Sequence, residues 1–208
     1  METSVFLVRH GITDWHRDRR VLGQRDIGLN ADGINQAQAT ARALAAIPIG
    51  EVISSPLLRA VQTAEILAGQ FGIEVARDPR LTDLRVGRWE GMSYDEVNAS
   101  PEYLRFVAEP LSERIPGGED LRQVRDRAVG AIEQAIADTP AGEPIAVVSH
   151  AGVVRVVLSH YLGAKLADYH RLRVSPGSVS ILSFHDDREL PRVLAINWSG
   201  SLAEVYRP

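Results

Sequence analysis

Three short unbroken apolar runs punctuate the chain: residues 5–8 (Val-Phe-Leu-Val), 52–53 (Val-Ile) and 145–148 (Ile-Ala-Val-Val). Such runs suit strands buried on both faces, as a parallel sheet requires. Between them the apolar positions recur at three and four. Ile34, Ala37, Ala41 and Leu44 predict one helix face behind Asn30 as N-cap, and Ser55-Pro56 supplies an N-cap and first-turn proline for a helix through Leu67. Leu121, Val124, Ala128, Ile132 and Ala135 predict a third helix leading into the run at 145–148, and a shorter one carrying Val153, Val154 and Val157 stops near Gly163. Residues 178–185 and 192–198 flank the polar Asp186-Asp187-Arg188-Glu189 and predict a hairpin on the sheet edge.

This alternation predicts an α/β fold: a three-layer α/β/α arrangement with a mostly parallel sheet, one antiparallel edge addition and a small helical cap insertion. The cap is assigned to residues 89–118, where Pro101, Pro110 and Pro116 and the aromatics Tyr94, Tyr103 and Phe106 break the rhythm. A structureless loop of that length would be uncommon. The length of 208 residues fits one domain, 1–208, with this insertion.

Composition narrows the class of function. Apolar residues make up 45% and charged residues 24% of the chain, as in an ordinary globular protein. A net charge of -4 argues against a surface that attracts nucleic acid or anionic membrane, so an anionic ligand must be held locally. With no cysteine, thiolate zinc sites, disulfides and cysteine nucleophiles are excluded, and a cytoplasmic setting is expected. The N-terminal apolar run is too short for a signal peptide, and no stretch is long enough to span a bilayer.

In open α/β sheets, ligands bind beyond the carboxyl ends of the strands. The residues there are Arg9-His10-Gly11 after the first run, Ser54-Ser55-Pro56-Leu57-Leu58-Arg59 after the second, and Ser149-His150-Ala151-Gly152 after the third. Two arginines and two histidines brought to one spot suit a phosphoryl group, because guanidinium forks match its oxygens and remain charged. A neutral imidazole can attack phosphorus in line, while the second imidazole, protonated, donates to the equatorial oxygens, and Gly11 permits close backbone approach. A leaving oxygen needs a proton, for which Asp83 is the first candidate and Glu90 its rival, a carboxyl facing a phosphate dianion having a raised pKa. There is no His-Glu-x-x-His, no Gly-x-x-x-x-Gly-Lys-Ser/Thr and no Gly-x-Gly-x-x-Gly after the first strand, so no metal or nucleotide cofactor is expected. His160, His170 and His185, and the arginine-rich stretches 17–20 and 171–173, are assigned surface or structural roles, with a reservation for Arg17 and Arg20 because they follow His10 closely.

The ordered motifs Leu7-Val8-Arg9-His10-Gly11-Ile12-Thr13-Asp14-Trp15, Leu29-Asn30-Ala31-Asp32-Gly33, Ser54-Ser55-Pro56-Leu57-Leu58-Arg59-Ala60-Val61-Gln62-Thr63-Ala64, the segment 81–91, Pro116-Gly117-Gly118-Glu119 and Val148-Ser149-His150-Ala151-Gly152-Val153-Val154-Arg155 resemble the histidine phosphatase superfamily, in its phosphoglycerate-mutase-like branch. The resemblance implies that His10 is the phosphorylated nucleophile, that Arg9, Arg59 and His150 form the phosphate pocket, and that Asp83 stands where the family usually has a glutamate proton donor. Gly11, His16, Leu22, Gly23 and Ala151 are the accompanying substrate-binding candidates. The chain departs from the pattern at Ile12, where glutamate is common, at Leu22, where a polar residue is usual, and at His16, where an asparagine often touches phosphate. A protonated His16 would strengthen anion binding below about pH 6.5.

The implied activity is hydrolysis of a small-molecule phosphomonoester. Phosphoglycerate mutase is the alternative, disfavoured by Asp83-Leu84-Arg85-Val86-Gly87 in place of the mutase Glu-Arg-His-Tyr-Gly and by the expected lack of a long closing tail. A non-catalytic binder of phosphometabolites or phosphopeptides is a third reading. The expected partner is a small phosphorylated metabolite, and the edge hairpin offers a surface for a homodimer.

Overall fold

A computed structural model describes residues 2–187 and 190–200. Arg188 and Glu189 of the anticipated hairpin turn lie outside the described residues. Six strands form one sheet in the order β3-β2-β4-β1-β5-β6. They are β1 (Glu2–Arg9), β2 (Glu51–Ser54), β3 (Val75–Arg77), β4 (Ile145–Ser149), β5 (Val179–His185) and β6 (Arg192–Trp198). The first four run parallel; β5 is antiparallel to β1, and β6 to β5.

Because successive strand residues point to opposite faces, β1 feeds two cores at once. Val5 and Leu7 join Ile53, Ile145 and Val147 on one face, and Phe6 and Val8 join Val52, Ala146 and Val148 on the other. Helices α2 (Ala31–Leu44) and α3 (Leu58–Gly69) cover the second face through Ala41, Leu44, Ala60, Ala64 and Leu67. Helices α6 (Leu121–Asp138) and α7 (Ala151–Tyr161) cover the first through Leu121, Val124, Ile132, Val153 and Val157. This is the three-layer α/β/α arrangement, with the mostly parallel sheet and antiparallel edge that the apolar pattern predicts. No helix among the described residues is long and apolar enough to cross a membrane.

Register brings the chemistry together. Arg9 pairs with Ser149 and Ser54 with Val148, and the backbone N–H groups of His10 and Ser55 donate to Ser149 and Val148 carbonyls at 3.0 Å each. The three strands therefore end level, and the segments leaving them emerge on one edge of the sheet. The short α1 (Asp14–Arg17) comes after β1 there. Within the anticipated cap lie α4 (Tyr94–Asn98) and α5 (Pro101–Ala108), started by Ser93 and Ser100 side chains that accept from backbone N–H groups. Trp89 anchors this segment edge-on against Tyr103 and Phe106 at 5.6 and 5.9 Å between ring centres.

One strand had not been anticipated, and two local expectations need correction. β3 carries no apolar run because it is short and half-exposed beside β2. Helix α3 begins at Leu58, so Pro56 precedes it; Ser55 is not its N-cap, although its hydroxyl accepts from the Leu57 N–H at 3.3 Å. Ile34 is 39% exposed although it shares the stripe of Ala37 and Ala41. It sits in the first turn of α2, next to Gly33, which meets the Gly11-Ile12 backbone so closely that a Cβ on Gly33 would lie 2.1 Å from the Ile12 carbonyl oxygen.

Candidate active site

His10 is 2% exposed at the end of β1. Its Nδ1 lies 2.6 Å from the Gly11 carbonyl oxygen, which can only accept, so Nδ1 carries the hydrogen and Nε2 the lone pair. That lone pair receives Arg59 Nε at 3.2 Å. Arg59 is fully buried, a cost met by using its whole fork: Nη1 donates to the Arg25 carbonyl at 2.7 Å, and Nη2 to the Gly23 carbonyl at 2.8 Å and Asp83 Oδ2 at 3.0 Å. Gly23 offers that carbonyl from a left-handed turn (φ +52), where a Cβ would strike Glu90.

His150 stands edge-on to His10, 5.0 Å between ring centres. Its Nε2 is 2.7 Å from the Ser55 hydroxyl, and its buried Nδ1 has no hydrogen-bond partner, lying 3.5 Å from Asp83 Oδ2. Burial, together with the Arg59 guanidinium, holds both His10 and His150 well below the usual histidine range. In the empty site both rings are thus held toward the neutral form. Arg9 is brought down to about 10 by burial and by the neighbouring Arg155, and remains charged.

His16 is caught between donors. Its Nε2 lies 2.9 Å from Arg9 Nη2, while its Nδ1 lies 3.2 Å from the Thr13 N–H and 3.0 Å from the Thr13 hydroxyl. A neutral imidazole has one acceptor nitrogen, and two N–H groups face it. A protonated ring would suit neither, and burial followed by Arg9 and Arg59 lowers His16 to about 4. The expected gain of anion binding below about pH 6.5 is therefore displaced by more than two pH units.

Burial pushes Asp83 above the usual carboxylate range, against the opposing pull of Arg59. Its loop is held from behind: Gln24 Nε2 donates to the Asp83 carbonyl at 2.9 Å, and Arg127 reaches the same carbonyl at 3.3 Å and the Arg80 carbonyl at 2.5 Å while pairing with Glu119 at 2.7 Å. The Pro116-Gly117-Gly118-Glu119 motif thus acts as a bracket for the Asp83 loop. Glu90 is engaged at the rim, accepting from the Gln24 N–H at 3.0 Å and lying 3.4 Å from Arg25.

These groups face a cavity of about 200 Å³. Of the anticipated residues, Arg9, His10, Asp83, His16, Leu22, Gly23 and Ala151 line it, with Arg59 and His150 buried next to His10. Gly11 does not line it. A Cβ there would lie 2.4 Å from the Gly33 carbonyl oxygen, so its small size serves the packing of β1 against α2. Ile12 is likewise outside the cavity. Arg17 pairs with Asp14 at the surface and Arg20 with the Gly91 carbonyl. Three polar wall residues, Tyr94, Arg155 and Tyr169, were absent from the anticipated set. Arg155 lies four residues, one helical turn, beyond the lining residue Ala151 on α7 and could have been found by helical spacing; Tyr94 and Tyr169 arrive from the cap and from a 3-10 turn at Leu166–Arg171, and carry no such signal.

A buried imidazole backed by guanidiniums and a raised carboxyl, at the level ends of parallel strands, defines a protein built to handle phosphoryl groups. The chain belongs to the histidine phosphatase superfamily (branch 1), whose family model matches residues 5–199. It is similar to the probable phosphoglycerate mutase GpmB of Cronobacter sakazakii, 34% identical over 99% of this chain and 96% of that protein. The mycobacterial glucosyl-3-phosphoglycerate phosphatase in complex with VO3 superposes with a TM-score of 0.85 at 28% identity, covering 95% of this chain and 99% of that one. Phosphoserine phosphatase from Entamoeba histolytica, in complex with 3-phosphoglyceric acid, shares the fold at 23% identity and TM-score 0.85, covering 96% and 99%.

Proposed function

We propose that this protein hydrolyses a small-molecule phosphomonoester through a phosphohistidine on His10. The observation that carries this reading is the tautomer of His10: the Gly11 carbonyl holds the hydrogen on Nδ1, leaving Nε2 to attack. As the phosphoryl group enters, Arg59 Nε turns from Nε2 to an equatorial oxygen, joined by Arg9 and the Nδ1–H of His150. Nε2 forms a bond to phosphorus as the bond to the ester oxygen breaks, and Asp83, protonated beside the dianion, gives its proton to that oxygen. Water then attacks phosphorus, the P–N bond breaks, and the Asp83 carboxylate takes the water's proton. Glu90, held at the rim by Arg25 and Gln24, is less suited to that exchange.

Rapid-quench labelling with a radiolabelled phosphomonoester is expected to give an acid-labile, alkali-stable label that is absent in His10→Ala, with turnover lost by roughly four orders of magnitude or more. Full activity of His10→Ala on an aryl phosphate would refute the reading. Mutase activity is favoured by the named function of the 34% identical relative. With 3-phosphoglycerate, release of inorganic phosphate supports the phosphatase and formation of 2-phosphoglycerate the mutase.

A further inference from the structure

We propose that the groove between α2 and the β5–β6 end of the sheet is a regulatory site for a small aromatic monocarboxylate, coupled to the turn that carries His10. Gln36, Ala39, Thr40 and Ala43 recur at spacings of three and four along α2 and form one wall. Pro176, Val179 and Trp198 form the other, the last two paired across β5 and β6. The cavity measures about 380 Å³, within the range typical of small-molecule sites, whereas the catalytic cavity at about 200 Å³ falls below it. No residue lines both.

The lining sets the chemistry of the ligand. The alanines, Pro176, Val179 and the Trp198 indole suit a flat apolar body. The donors are the Arg42 guanidinium and the Gln36 amide; Gln36 Oε1 takes the Ile12 N–H at 2.9 Å, which fixes the amide's orientation and leaves its NH2 to donate. No carboxylate lines the groove among the described residues, so two donors and one positive charge match one carboxylate. A second cavity of similar size, about 410 Å³ between Trp89 and Pro116, is lined by both Arg88 and Glu102 and has no such preference of sign.

The polar residues of the groove also hold the turn of the nucleophile. Gln36 binds the Ile12 N–H two residues beyond His10, and the Thr40 hydroxyl donates to the Gly177 carbonyl at 2.7 Å. The Gly177 N–H in turn donates to the Arg9 carbonyl at 3.0 Å and lies 3.3 Å from that of His10. Gly177 is tight against α2: a Cβ there (φ +71) would lie 3.1 Å from the Gln36 Cβ. A carboxylate that accepts from the Gln36 amide polarises the bond this amide makes to Ile12, and so stiffens the turn from which Arg9 and His10 meet phosphate. Occupancy of the groove is independent of the reaction at His10; the coupling requires only that the catalytic cavity takes phosphate.

The test titrates 3-phenylpropanoate and its uncharged amide into the full chain, followed by proton–nitrogen NMR. The acid is expected to shift the Trp198 indole signal and the Ala39, Ala43 and Gly177 backbone signals, and to bind about 5-fold more tightly than the amide, as for an exposed ion pair. Arg42→Gln should erase that difference while leaving turnover without the acid unchanged, and Ala43→Phe, which fills the groove, should abolish the shifts. With the acid bound, inorganic phosphate should bind about 5-fold more tightly, at the low end of allosteric couplings, and saturating phosphate should tighten the acid by the same factor. An unmoved Trp198 signal, or equal affinity for acid and amide in the wild type, overturns the site. An unchanged phosphate affinity overturns its regulatory role. Mutual weakening of acid and phosphate, with shifts at Tyr94 and Arg155 instead, places the acid in the catalytic cavity and overturns both. Failure of the phosphatase reading looks different: no ester is hydrolysed, while the Trp198 shift and its dependence on Arg42 persist.

Discussion

His10, Arg59 and His150 are almost fully buried on the floor of the cavity, His10 and His150 directly after central strands and Arg59 five residues beyond β2, whereas Tyr94, Arg155 and Tyr169 reach its wall from a cap helix, a helix flank and a 3-10 turn. On the floor, hydrogen bonds fix the His10 tautomer and engage the whole Arg59 fork. Unpartnered buried nitrogens occur in both regions, Nδ1 of His150 on the floor and Nε of Arg9 and Arg155 among the lining residues, and the wall adds a row of aliphatic side chains. A floor held by hydrogen bonds before substrate arrives can place a nucleophile, and a wall of mixed side chains from separate elements can discriminate between leaving groups.

Asp83 belongs to both regions and provides the sharpest way to break the comparison. It bonds to Arg59 on the floor but comes from the loop that builds the wall. If it delivers the proton, Asp83→Asn should lower kcat/KM by about 1,000-fold for an alkyl ester such as glycerol 3-phosphate, and by less than about 10-fold for p-nitrophenyl phosphate, whose leaving group needs no proton. Equal losses on both would reduce Asp83 to an anchor for Arg59 and make Glu90 the acid.

The same division governs what was legible in the sequence. Arg9, His10, Arg59 and His150 could be placed because buried strands announce themselves as apolar runs, and parallel register forces the residues beyond their carboxyl ends onto one edge. Asp83 was legible as a nearby carboxyl, but its advantage over Glu90 depends on Gln24, Glu119 and Arg127, which hold its loop by bonds between distant segments. Gly11 was misread for a related reason. A glycine beside a nucleophile suggests room for ligand, whereas the neighbour that requires it is the backbone of Gly33, visible only once α2 packs on the sheet. Tyr94 and Tyr169 sit in stretches whose local pattern reports only their own short helices.

Ser55 tests whether the floor's fixed tautomers matter. The proposed mechanism needs Nδ1 of His150 as the N–H toward the phosphoryl group, which requires the Ser55 hydroxyl, 2.7 Å away, to donate to Nε2. Ser55→Ala frees the ring to take the other tautomer and turn a lone pair inward. The expected loss in kcat is about 10-fold, the value of one hydrogen bond of ordinary strength, with nitrogen NMR of His150 showing a mixed tautomer. Ser55→Thr should restore both. A loss of activity with the tautomer unchanged would mean that Ser55 serves packing alone.

The smallest effect is expected where floor and wall meet, at His16, and it concerns stability more than rate. In the folded empty site this ring titrates near 4, and in the unfolded chain near the ordinary histidine value of about 6.5. Between those values the unfolded chain binds the extra proton, so stability from this ring is present in full above about pH 6.5 and is lost as pH falls toward 4. From pH 7.5 to 5 the loss amounts to on the order of 2 kcal/mol. His16→Asn removes that titration while keeping an acceptor for the Thr13 N–H and a donor for a phosphoryl oxygen. Urea unfolding at the two pH values should therefore show a smaller acid penalty in His16→Asn than in the wild type, while kcat at pH 7.5 stays within about 10-fold, one hydrogen bond being replaced by another. An identical acid penalty in both proteins would show that His16 is not held neutral by its neighbours, and that the two N–H groups facing it do not compete in solution.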